Sequence, residues 1–207
     1  KLQQYASFLP ALLKGALMTI EVSILSMILA VVIGLVLAIM RLYGSKLISK
    51  MAVIYIEVVR GTPLLIQLFF IFYGLPYIGI KFNSFVAAVL GLGLNYGAYE
   101  AENYRAGISS VPKTQTEAAK ALGMDQRQTF WNVILPQALR ISLPPMTNDF
   151  ISLLKDSSLV STITMVELTK VYGQLSSTYY DYFGTGILVA LIYFLIGLPF
   201  IRLARYF

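Results

Sequence analysis

Two clusters of charged and amide side chains stand inside otherwise apolar stretches of this chain. Glu100, Glu102, Asn103 and Arg105 form the first, and Asn148, Asp149, Lys155 and Asp156 form the second. A carboxylate kept in a low-dielectric setting wants a cation, and a guanidinium supplies charge and two parallel hydrogen bonds together. Recognition of a cationic solute is therefore the chemistry these residues suit. Covalent catalysis is disfavoured, because the sequence holds no histidine and no cysteine. That removes disulfides, Cys/His zinc sites and histidine acid/base pairs. No catalytic residue and no metal site is predicted.

Helical spacing sorts the candidates. Asn95, Tyr99, Glu102 and Ala106 share one face, and Tyr96, Glu100, Asn103 and Gly107 share another. The two glutamates cannot both face one pocket from an ideal helix. Gly91, Gly93 and Gly97 allow either local irregularity or close packing against a neighbour. Glu102 also has a second reading, an i,i+3 ion pair with Arg105. Asp149 lies about halfway between Pro136 and Ser161, near the bilayer midplane at ~1.5 Å per residue, with Glu100 and Glu102 somewhat to the cytoplasmic side. Pro144 and Pro145 just before Asp149 predict a kink or an interruption, and broken helices at that depth hold polar substrates in transporters. The candidate substrate-binding set is Glu102, Asp149, Glu100, Asn103 and Tyr99. Lys155–Asp156 reads as a structural or gating pair near the outer end, Glu57–Arg60 as a structural pair, and Glu21 as interfacial.

The elements that must position these residues are membrane helices. Of the 207 residues, 57% are hydrophobic and 13% charged, against about 25% charged in a soluble domain. An all-α membrane protein is expected, one domain over residues 1–207 with about five transmembrane helices. Spans of ~20 residues fit 17–40, 52–73, 85–107, 137–163 and 184–203. The second contains Glu57 and Arg60, and Thr62-Pro63 reads as an N-cap with proline at the first helical position. Residues 45–59 are therefore an interfacial segment or a bent start. Arg41, Lys46 and Lys50, then Lys113, Lys120, Arg127 and Arg140, then Arg202 and Arg205 fall on one side. Lys1, Lys14, Lys81 and Lys170 fall on the other. The excess marks the cytoplasm, so the N-terminus is expected outside and the C-terminus inside. The net charge of +6 reads the same way and not as nucleic-acid affinity. No cleavable signal pattern is seen.

A polar insert, about 113–136, interrupts the apolar pattern on the cytoplasmic side. Thr114 and Glu117 have the spacing of a capping box, Gly123 suits a left-handed C-cap, and Asp125 with Gln128 suits a second N-cap. Two short helices joined by a tight turn are expected, with Pro136 starting the next span. Ala118 and Ala119 allow close approach by another protein.

The run Glu117-Ala118-Ala119, Gly123, Val133, Leu135-Pro136 resembles the cytoplasmic EAA loop of ABC importer permeases. Arg60-Gly61-Thr62-Pro63-Leu64-Leu65-Ile66-Gln67 is similar to a signature of their polar amino acid subgroup. Gly97-Ala98-Tyr99 with Glu102 and Arg105 resembles that subgroup's third span, and Leu154-Lys155-Asp156-Ser157-Ser158-Leu159 its fourth. The resemblance covers nearly the whole chain, and Val133 departs from the usual isoleucine. It implies a MetI-like permease core in a prokaryotic inner membrane, multi-pass, with Glu117, Ala118, Ala119 and Gly123 as the ATPase-coupling residues. It implies as partners two ATPase subunits, a second permease subunit (a second copy or a homologue), an extracytoplasmic solute-binding protein and an amino acid substrate. The chain has no G-x-x-x-x-G-K-[ST] phosphate loop. It is expected to be no enzyme and to hold no cofactor, with ATP and Mg bound by the partner ATPase.

Relative to that family, the chain departs toward acid at Glu100 and Asp149, which predicts preference for basic amino acids, arginine first, with lysine and histidine as possible co-substrates. An autonomous ion-coupled secondary transporter or channel using Glu102 and Asp149 is the alternative. It lacks an internal repeat and leaves the capped hairpin unexplained. A membrane-embedded enzyme is a third reading, with no metal cluster to support it.

Overall fold

The computed structural model describes residues 2–206, entirely as helices and their connections. Helix α1 spans Leu2–Tyr43. It begins well before the expected residue 17, because Pro10 is absorbed within it and the polar start simply continues the same helix. At 42 residues and ~1.5 Å per residue it exceeds the ~30 Å of a bilayer core about twofold. Lys1, counted above on the outer side, lies outside the described residues.

Helix α2 (Lys46–Gly61) opens on Ser45, whose side chain accepts from the Ile48 N–H. It ends because a proline disfavours the helical region in the residue before it. Thr62 is accordingly extended, at φ −117° and ψ 146°. Pro63 then starts α3 (Leu64–Phe69), which continues through a wide turn at Phe70–Gly74 and a tight one at Leu75–Ile78. The two parts meet at 106°. The second span, expected to have a bent start or an interfacial lead-in, is therefore an elbow. Thr62 does not cap α3 either, because its hydroxyl donates back to the Val58 carbonyl at 2.9 Å. The elbow is pinned by Gln67, whose Nε2 lies 2.8 Å from the Val59 carbonyl and 2.7 Å from the Thr62 hydroxyl.

Helix α4 (Ser84–Ser110) is regular throughout, capped by Asn83. Its glycines serve packing, not irregularity. A Cβ on Gly93 would sit 2.6 Å from a Leu29 methyl, and one on Gly97 2.7 Å from Ile33. With Ala101 they make a small-residue stripe that brings α1 against α4.

The hairpin comprises α5 (Lys113–Ala121) and α6 (Gln126–Thr129). Pro112 occupies the N-cap position of α5, two residues earlier than a Thr114 cap would need, so the expected Thr114–Glu117 box does not form. At the other end Gly123 is left-handed at φ 81°. Its N–H reaches the Lys120 carbonyl at 2.9 Å and that of Met124 reaches Ala119 at 3.1 Å, the paired closure that needs such a residue. Asp125 and Gln128 do form a reciprocal capping box. The helix that follows is not a short separate one. It runs through a wide turn at Phe130–Ile134 into α7 (Leu135–Asp156). A proline ring crowds the carbonyl four residues back, and the wider turn just before Pro136 relieves it. Helix α7 is likewise uninterrupted at Pro144 and Pro145.

A tight 3-10 segment (Ser157–Ile163) leads to α8 (Leu168–Tyr179) and α9 (Tyr182–Tyr206). Glu167, fully buried, caps α8. It accepts from the N–H groups of Thr169 and Lys170 at 2.8 Å and from the Tyr193 hydroxyl at 3.0 Å, so one carboxylate ties α8 to α9. Sequence reasoning passed over it.

Among the described residues, α1 and α9 are long and apolar enough to cross a membrane, and the α2–α3 elbow makes a third if it is one span. The expectation of five rested on α4 and α7 as well. Both are span-length, but they carry the polar residues that line the interior.

Candidate functional site

Helices α4 and α7 build the site together. Gly107 lets them touch: a Cβ there would lie 2.4 Å from the Ser142 hydroxyl. That hydroxyl donates to the Asn103 carbonyl at 3.0 Å, fixing the register between the helices. In that register Asn103 Nδ2 donates to Asp149 at 2.8 Å and reaches Glu100 Oε2 at 3.4 Å. Glu100 is fully buried, and its Oε1 has no donor. Two carboxyl groups thus share one amide and lie within hydrogen-bonding reach of each other. Ionised carboxylates only accept hydrogen bonds, so the pair is short of a donor that a proton or a cation would supply.

A polar cleft of about 340 Å³ opens beside this pair, lined by Thr62, Pro63, Leu64, Asn95, Tyr96, Tyr99, Asp149, Ser152 and Asp156. The α2–α3 elbow closes one side, held to α4 by Asn95 Nδ2 donating to Gln67 Oε1 at 3.0 Å. Tyr96 donates to Asp156 at 2.7 Å. The Arg60 guanidinium sits 5.2 Å from the centre of the Tyr99 ring.

Of the five candidates from sequence, Glu100, Asn103, Asp149 and Tyr99 come together here. Glu102 does not. It forms an ion pair with Arg41 at the end of α1 and a second with Arg105 at 2.9 Å. It clamps α1 to α4, and the i,i+3 alternative describes its geometry. Arg60 makes no ion pair with Glu57 among the described residues, which corrects that pairing. Asp156 is engaged by Tyr96 and lines the cleft, so the Lys155–Asp156 pair is corrected too. The missed signal was the i, i+3, i+7 row Asp149, Ser152, Asp156 on one face of α7. Glu21 is exposed.

On the hairpin, Glu117 and Ala118 are exposed and Leu122 is 80% exposed, whereas Ala119 is buried. Ala119 packs inward and offers no surface to another protein.

Fold and cleft define an all-helical membrane permease. Residues 30–207 match the family described as binding-protein-dependent transport system inner membrane component, and the chain belongs to it. A probable amino-acid ABC transporter permease protein of Bacillus subtilis, YckA, is 43% identical over 90% of this chain and 83% of its own. The L-cystine transport system permease protein TcyB of the same organism is 45% identical over 78% and 69%. The arginine transport system permease protein ArgU of Corynebacterium glutamicum is 40% identical over 93% and 65%. Among solved structures, an amino acid ABC transporter with histidines aligns over 100% of this chain and 96% of its own, at TM-score 0.91 and 39% identity. A chain of the MetNI methionine ABC transporter shares the fold at TM-score 0.76 and 20% identity. The protein is an ABC importer permease subunit for amino acids, a class in which ATP hydrolysis belongs to partner subunits.

Proposed function

We propose that this permease imports cationic amino acids, arginine first, with lysine and histidine as co-substrates. The donor-deficient pair Glu100–Asp149 at the edge of a polar cleft carries the reading. A guanidinium or ammonium entering from the cleft supplies the missing donors and balances the charge. Asn103 orients the pair, and Tyr99 forms part of the cleft wall beside it. The mixed substrates named among the relatives leave selectivity to such local chemistry.

The chain is placed in a prokaryotic inner membrane with its N-terminus outside and its C-terminus and hairpin in the cytoplasm, following the Lys and Arg excess. Two copies pair around the pathway, a solute-binding protein delivers from outside, and two ATPase subunits bind ATP and Mg below. No cofactor resides in this chain. The exposed row Glu117, Ala118 and Leu122 is the coupling surface, with Gly123 setting its turn and Ala119 anchoring it from inside. Changing Ala118 to arginine puts a long charged side chain on that surface. It is expected to abolish substrate-stimulated ATPase activity, while arginine binding, read by isothermal titration, persists.

The deciding experiment reconstitutes the permease with its ATPase subunits in liposomes and measures binding and ATP-driven uptake of arginine, lysine, histidine, glutamine, cystine and citrulline. Arginine should lead, and citrulline, isosteric but neutral, should fail. Equal uptake of the two would refute cation recognition. Uptake that follows an ion gradient without ATP would favour the ion-coupled alternative.

A further inference from the structure

We propose that Arg60 receives the α-carboxylate of the transported amino acid at the rim of the polar cleft. The assignment rests on the reading of Glu100–Asp149 as the holder of a cationic side chain. A free amino acid also carries a carboxylate, which a cleft walled by Asp149 and Asp156 repels. Some cation must compensate, and of the arginines grouped around α4 one is held by no carboxylate. Arg41 and Arg105 are both held by Glu102, whereas Arg60 makes no ion pair among the described residues.

The position of Arg60 suits the task. Its guanidinium lies 5.2 Å from the centre of the Tyr99 ring, and Tyr99 forms part of the cleft wall. A guanidinium placed over a ring keeps its fork of N–H donors free at the edge, a shape that matches a carboxylate bidentately. Arg60 is exposed, so that fork is open to a solute. It sits on the last turn of α2, two residues before Thr62 and Pro63, which line the cleft. The Gln67 clasp that fixes the elbow therefore also fixes where Arg60 starts. The bound solute lies with its carboxylate at Arg60 and its side-chain cation toward Asp149.

The test measures affinity in the assembled transporter, permease with ATPase subunits in lipid nanodiscs. Arginine is compared with agmatine, which lacks the carboxylate, and citrulline with its decarboxylated counterpart. Wild type should prefer each carboxylate-bearing member by about 10- to 100-fold, the worth of one charge-assisted hydrogen bond. Arg60→Gln should bind both members of each pair equally, and Arg60→Lys, which keeps the charge without the fork, should fall between. The arginine-over-citrulline preference should survive in Arg60→Gln, which also shows that the variant is folded. An unchanged carboxylate preference in Arg60→Gln overturns the assignment. So does tighter arginine binding, which would make Arg60 a competitor for the acids. If wild type binds arginine and citrulline alike, the acidic-pair reading fails by itself, and the citrulline comparison still tests Arg60.

Discussion

Asp149→Asn is expected to weaken arginine binding at least ~30-fold while leaving the permease folded. The substitution keeps the shape of the side chain, and its amide oxygen still accepts from Asn103, now at 2.8 Å from Asp149. What disappears is the charge. Removing one partner of a buried charged contact costs about 2–5 kcal/mol, and each ~1.4 kcal/mol is tenfold in affinity. Citrulline affinity should change little, so the arginine-to-citrulline ratio collapses toward one. Glu100→Gln provides the complementary reading. Glu100 Oε1 has no donor, and an unsatisfied buried polar atom costs about 1–3 kcal/mol. A glutamine amide can donate to Asp149 and relieve that cost. Thermal stability should therefore hold or rise as arginine affinity falls. A drop in both, with the arginine-to-citrulline ratio intact, would mark the pair as structural.

The cost of keeping charge in an apolar setting also decides what the sequence could disclose. Asp149, Glu100 and Asn103 were visible because charged and amide groups in apolar stretches are costly and must face something polar. Helical spacing separated Glu102 from Glu100, and the structure gives Glu102 to Arg41 and Arg105. The Arg41 contact was out of reach, since it joins residues on different helices and depends on how α1 lies against α4. The same holds for Glu167, whose partners Thr169 and Tyr193 come together only when α8 meets α9. Pro63 gave a break at the right residue, but its direction was not legible. The 106° bend is set by Gln67 reaching back to Val59 and sideways to Asn95. Local caps fared unevenly for a similar reason. Asp125–Gln128 stands alone before its helix, whereas Pro112 pre-empted Thr114 by fixing where α5 starts.

Gly34→Ala is expected to disable the permease, although Gly34 touches no solute and carries no charge. By helix propensity alone the change is favourable by about 1 kcal/mol. Packing opposes it. A Cβ at Gly34 would lie 2.5 Å from Glu100 Cβ and 2.9 Å from both the Ala101 nitrogen and the Glu100 carbonyl carbon. Two of those three atoms are backbone, so no rotamer change relieves the overlap and α1 must move away from α4. Overpacking costs about 1–3 kcal/mol even where side chains can adjust. Here the displacement also acts on the residue that forms half of the acidic pair, and on the Arg41–Glu102 clamp along the same seam. Gly34→Ala should therefore lower the melting temperature and reduce arginine binding together, and Gly34→Leu should fail to accumulate in the membrane. Gly173→Ala is the control, because nothing lies within 4 Å of a Cβ there; it should cost nothing. Retained stability and binding in Gly34→Ala would mean that α1 and α4 do not close on Glu100 as tightly as this seam requires.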